Sequence, residues 1–171
     1  MGRILLLNII RFILLVAMQV FLFKNMGYYN LAVPYPYILF LLMLPLGIPN
    51  WLLFFISFFT GLAVDTFYDT LGVHAAASVS LAALRILFIS LTVQFENHET
   101  FATPSVSEMS FRWFFIYSLV LSLLHHFVLT LLEAFSFSNF HYTLIRTVLS
   151  CIFTLLLLLL FSLLFYRKSR R

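Results

Sequence analysis

Ionisable residues are so sparse along this chain that it divides into apolar stretches, most of them about long enough to cross a bilayer, joined by short polar turns. Of its 171 residues only 9% are charged, where a soluble domain carries roughly 25%. A water-soluble globule is excluded. A spanning helix takes about 20 apolar residues, so the length accommodates about six spans and leaves no soluble domain large enough for chemistry of its own. The expectation is an all-α integral membrane protein: one domain over residues 1–171, with spans near 4–23, 37–48, 50–64, 73–93, 111–132 and 144–166.

The first stretch resembles a signal peptide in having Arg3 before an apolar run. Its core is too long, it contains Arg11 and Gln19, and Lys24-Asn25-Met26 offers no small-residue cleavage site, which points to a retained anchor. The stretches at 37–48 and 50–64 are short, and Pro45, Gly47, Pro49 and Asn50 form a strong turn signal between them. They read as two helices meeting in a tight turn, either thin spans or a re-entrant pair. Asp65 to Gly72 reads as a polar loop, and Gln94 to Ser110, with Glu96, Glu99 and Glu108, as the longest stretch outside the membrane. Six spans place both termini on one side. Arg3 and the tail cluster Arg167, Lys168, Arg170 and Arg171 assign that side to the cytoplasm. This cluster supplies much of the net charge of +4, so the basic balance speaks for topology and lipid headgroups and against nucleic acid.

Polar residues within spans cost energy unless they face the bundle interior or a partner. Asn8, Arg11 and Gln19 share roughly one helical face; Ala76 with Ser80, and Ser78 with Ala82, are small pairs four apart; Ser118, Ser122, His125, His126 and Glu133, then Arg146, Ser150 and Thr154, continue the pattern. The stripes read as a seam packing helices together. Arg146 has Glu133 or Asp65 within reach, whereas Arg11 and Arg85 lie deeper with no carboxylate at a matching depth. They must snorkel, bond backbone carbonyls or meet a partner. No catalytic constellation is legible. Adjacent His125 and His126 point to different helix faces, Cys151 is the lone cysteine, and there is neither a G-x-S-x-G elbow nor a Gly-rich phosphate loop. The chain reads as a non-enzyme without cofactor or metal.

One motif goes further. Gly61-Leu-Ala-Val-Asp65-Thr-Phe-Tyr-Asp69-Thr-Leu-Gly72-Val-His74-Ala-Ala-Ala77 has a glycine, an aspartate four later, a turn ending in glycine and a helix opening with small residues. It resembles the region shared by the MreD family of rod-shape-determining membrane proteins, as do Asn8 and Arg11 early in the first stretch, the chain's size and its basic tail. The resemblance implies a subunit of the bacterial cell-elongation machinery in the inner membrane. Such a subunit binds the single-span protein MreC and works with MreB, RodA and a class B penicillin-binding transpeptidase in lateral peptidoglycan synthesis. It also implies a fold like the six-helix substrate-binding subunits of energy-coupling-factor transporters, and it marks Gly61, Asp65, Gly72 and His74 as structural or partner-contact positions. Asn8, Arg11 and Arg85 join them as candidates. Glycines at 61 and 72 permit close backbone approach and a left-handed turn, and Asp65 can cap the next helix or pair with a basic neighbour. The alternative function is a vitamin-type transporter subunit. Those subunits often carry Ala-x-x-x-Ala in the first helix, where this chain has only Ala17.

Overall fold

The computed structural model describes residues 2–24, 32–94, 102–134 and 140–164. Arg3's side chain, Glu96, Glu99, the Phe-, Ser- and Asn-containing loop at 135–139 and the basic tail lie outside the described residues. Helix α1 covers Gly2–Met18 and continues through a π-helical turn over Gln19–Phe23; α2 is Ile38–Leu42, α3 Asn50–Tyr68, α4 Val73–Thr92, α5 Val106–Met109, α6 Phe111–Ala134 and α7 Phe140–Leu164. Among the described residues, five stretches are helices long and apolar enough to cross a membrane: Leu5–Phe23, Asn50–Tyr68, Val73–Thr92, Phe111–Ala134 and Phe140–Leu163. Helix α4 packs between α3 and α6, and α7 packs on α6.

Two expectations need correction. The stretch 37–48 is not a spanning helix: it holds only the five residues of α2. Pro34, Pro36, Pro45 and Pro49 each lack an N–H and push the residue before them toward extended backbone, so helix can persist only between Pro36 and Pro45. The second correction is at Asp65, which sits on the last helical turn of α3 and not in a loop. Phe67 and Tyr68 carry the helix onward until Asp69 adopts a left-handed conformation, φ 56° and ψ 33°, and ends it.

The proline-rich segment nevertheless runs much of the bundle's length. Its start lies at the far end of α1, where Gln19 Nε2 donates to the Pro34 carbonyl at 3.4 Å. Nine residues later Arg11 donates to the Met43 carbonyl at 3.3 Å. Gln19 and Arg11 are eight helical positions apart, about 12 Å, so the segment descends antiparallel to α1. By Pro49 it shares an apolar groove of about 650 Å³ with Gly2 and Leu5. Helix α3 then returns toward the Asp65 end, α4 leads back to the Arg85 end, and α6 and α7 repeat the excursion.

Such a segment puts non-helical backbone at membrane depth, which is tolerated only where protein covers it. Residues 34–44 are buried without a break, and Tyr37, Ile38, Leu41 and Leu42 are wholly inaccessible. They form the middle of the apolar core together with Leu53, Leu81, Phe114, Tyr117, Leu121 and Leu158.

Candidate functional site

The residues singled out by sequence gather into two groups, one at each end of this buried segment. At the first, α3 meets α4 across a four-residue turn. The Thr70 N–H donates to the Asp65 carbonyl at 3.2 Å, and Gly72 precedes α4 at φ 83°, a conformation that costs glycine little. Glycine brings no side chain to cap the new helix. The Asp65 carboxylate, 2% exposed, does so from the end of the preceding one: Oδ1 accepts from the His74 N–H at 3.0 Å and Oδ2 from the Ala75 N–H at 2.9 Å. Oδ1 also accepts from His74 Nδ1 at 3.0 Å and from the Thr70 hydroxyl. An N-terminal backbone N–H has no intrahelical partner, and one carboxylate here serves two of them, a side chain and the turn.

Gly61 lies one helical turn before Asp65 and makes this reach possible. A Cβ at position 61 would run into the Ala75 Cα and the His74 carbonyl, so the helices approach as closely as backbone allows. Gly61, Asp65, Gly72 and His74 thus form a single junction. Of the two small pairs on α4, Ser78 and Ala82 are buried, whereas Ala76 is exposed and Ser80 only partly covered. Lys24 closes the rim, donating to the Phe67 carbonyl and standing 4.0 Å from the Asp69 carboxylate. Arg146 pairs with Glu133 at 2.7 Å on the neighbouring helices.

The second group holds the other end of the crossing segment. Helix α2 and the turn after it leave the carbonyls of Leu42 to Pro45 to be paired by side chains. Arg85 on α4, 1% exposed, donates from Nη2 to the Leu44 carbonyl at 2.6 Å and the Pro45 carbonyl at 3.2 Å, and from Nε to Tyr117 Oη at 3.0 Å. Tyr117 in turn donates to the Leu42 carbonyl at 2.9 Å. Arg11, steadied by Asn8 Oδ1 at 3.2 Å, takes the Met43 carbonyl. Of the three options open to the deep arginines, both use backbone carbonyls. Buried as it is, Arg85 has no surface to offer a partner.

Between the groups the segment is pinned by neutral side chains. The Val33 N–H donates to Ser150 Oγ at 3.0 Å and the Tyr35 N–H to Thr154 Oγ1 at 2.9 Å. His126 lies 2.7 Å from the Ser122 carbonyl through Nδ1 and 2.9 Å from Thr154 Oγ1 through Nε2. The carbonyl can only accept, so Nδ1 carries the proton and, in the neutral ring, Thr154 donates to Nε2. Tyr37 Oη shares a 2.7 Å hydrogen bond with His125 Nε2. The Tyr35 ring sits among those of His74, His125 and His126, with centroids 5.4 to 6.2 Å away. No three His, Cys, Asp or Glu side chains among the described residues are placed to share a metal ion.

Tyr35, Tyr37 and Tyr117 were not singled out from the sequence, although all three are central here. The signal available is Val33-Pro-Tyr-Pro-Tyr37, whose two prolines keep the backbone extended and leave its polar groups to be paired by side chains. No protein-family model, curated protein or solved structure matches the chain.

Proposed function

We propose that this chain is a non-catalytic scaffold of the bacterial cell-elongation machinery. In this reading it lies in the inner membrane with both termini in the cytoplasm, binds MreC, and supports lateral peptidoglycan synthesis beside MreB, RodA and a class B penicillin-binding transpeptidase. The observation that carries the reading is the α3–α4 junction. The positions of the MreD-like motif are the ones that make the turn: Gly61 lets the helices touch, Asp65 caps α4, Gly72 takes the left-handed turn and His74 meets the carboxylate. The polar side chains of the interior support it too, since nearly all of their bonds hold backbone or one another in place.

One observation favours a second reading, a vitamin-type transporter subunit. His74 Nε2 and His125 Nδ1 are fully buried without a hydrogen-bond partner, near the Tyr35 and Tyr37 rings. Such atoms could meet a polar ligand after a rearrangement.

Affinity purification of the tagged protein from its native membrane in mild detergent, with mass spectrometry of proteins and small molecules, separates the two. The scaffold reading expects MreC and cell-wall synthases. An ATPase module or a bound vitamin in their absence would replace it with transport.

A further inference from the structure

Helix α1 is the least covered of the five long helices, and the apolar groove of about 650 Å³ separates its first half from α3. That volume lies in the range at which proteins hold small ligands. Leu5, Ile9 and Phe12 form one wall, and Leu52, Phe55 and Phe59 the other. Only two polar side chains line it, and each is hydrogen-bonded within its own helix. Asn8 Oδ1 accepts from Arg11 at 3.2 Å, and the Thr60 hydroxyl donates to the Ile56 carbonyl at 2.7 Å. Water finds few partners here, and a space walled by carbon stays dry.

The groove has a definite depth. From Gly2 to Phe12 its α1 wall covers ten helical positions, about 15 Å, half of a hydrocarbon core about 30 Å thick. Trp51, 70% exposed on the first turn of α3, marks the mouth as the interfacial end, because tryptophan favours the headgroup level. The inner end is closed. The Phe12 ring packs on Phe40 with centroids 5.2 Å apart. Beyond it Gln19 Nε2 donates to Tyr68 Oη at 2.6 Å and Lys24 to the Phe67 carbonyl, which ties α1 to the far end of α3. The result is a blind slot one leaflet deep.

That depth separates the two apolar occupants a membrane offers. A partner's spanning helix crosses both leaflets and needs a seam open from end to end, whereas this seam shuts near the middle of the bilayer. A lipid acyl chain belongs to one leaflet, ends inside it and presents only carbon to the walls.

We propose that this slot binds one acyl chain of a membrane phospholipid, which enters from the leaflet at the amino-terminal end of α1. The chain supplies the apolar contact that α1 and α3 do not make with each other there, so the lipid holds α1 to the bundle. This goes beyond the scaffold reading and does not depend on it.

The test uses the full chain in mild detergent, with native mass spectrometry and palmitoyl-oleoyl phosphatidylglycerol as the added lipid. Ile9→Trp and, from the opposite wall, Leu52→Trp place a ring in the slot. Leu7→Trp places the same ring on α1 outside it, at a position 51% exposed. Wild type and Leu7→Trp should retain one lipid per chain. The two slot variants should show about tenfold lower occupancy, as expected when about two methylenes lose their burial. Added lipid should raise the thermal midpoint of wild type and Leu7→Trp and leave that of the slot variants unchanged. Occupancy equal to wild type in a folded slot variant assigns the lipid to the outer surface and overturns the inference. A wild type that neither retains lipid nor is stabilised by it does the same, whatever the variants do. A polypeptide held by wild type and lost from the slot variants would give the slot to a partner helix instead.

Discussion

The α3–α4 junction and the end of α2 meet the same difficulty with opposite charges. Each buries backbone that has no partner within a helix. At the start of α4 the stranded groups are N–H donors, and a carboxylate, Asp65, accepts from them. Just past the end of α2, at Met43, Leu44 and Pro45, they are carbonyls, and guanidinium groups, Arg11 and Arg85, donate to them. The sign of each buried charge follows from which backbone groups were left without a partner, N–H donors at Asp65 and carbonyls at Arg11 and Arg85. No ion pair between the two charge types is needed, and Asp65 and Arg85 serve opposite ends of the same bundle.

The comparison is broken most directly at Arg85. Arg85→Ala removes the donors to two carbonyls and a tyrosine oxygen and leaves a cavity, and a cost of about 3–5 kcal/mol is expected. Reversible unfolding in detergent or bicelles reads it. Arg85→Lys keeps the charge but lacks the planar fork, so it should recover about half of that loss. Full recovery by lysine would mean that charge alone matters and that the carbonyl geometry does not.

Gly61→Ala comes next. Its methyl group meets backbone atoms of His74 and Ala75, which cannot swing aside as a side chain could, so about 2–3 kcal/mol is expected. A helical crosslink between α3 and α4 that forms in wild type should form less readily. Asp65→Asn replaces one acceptor oxygen with an amide that faces a backbone N–H. About 2 kcal/mol is expected from the cap and the unpaired donor together, seen as a lowered thermal midpoint. An Asn as stable as the wild type would show that acceptance by one oxygen suffices and that the charge symmetry between the two ends is incidental. Arg11→Ala should cost less, about 1 kcal/mol, because Arg11 is only partly buried and water or headgroups can replace one hydrogen bond.

How much of this was legible beforehand differs between the two regions for a physical reason. The junction lies within 14 residues of sequence, from Gly61 to His74, and glycine, aspartate and glycine at that spacing state a close approach, a cap and a turn locally. The five long helices are equally plain from apolar length. The carbonyl site could not be read in the same way. Arg85 and Leu44 are 41 positions apart, and sequence shows an arginine's need for acceptors without showing which acceptors are short of donors. The segment 37–48 reads as a span because hydropathy measures burial and not helicity: backbone that is irregular but covered by protein, as residues 37–44 are, is as apolar as a span.

The smallest effect tests whether buried polarity in this bundle is always employed. Ser118 and Ser122 are completely buried on α6, and their hydroxyls have no hydrogen-bond partner. They sit on the same helix as His126, whose two ring nitrogens are both satisfied. Removing a buried hydroxyl that bonds nothing withdraws a desolvation cost, so Ser118→Ala should change stability by no more than about 0.5 kcal/mol, in the stabilising direction. Thr154→Val is its counterpart with little change of shape. It removes the acceptor of the Tyr35 N–H and the donor to His126, and should cost about 1–3 kcal/mol. Thermal midpoints of the two variants in one detergent give the contrast directly. A Ser118→Ala cost above about 1 kcal/mol would mean that the hydroxyl is bonded after all, by water or by the α6 backbone, and that the polar face of α6 is held as firmly as the crossing segment.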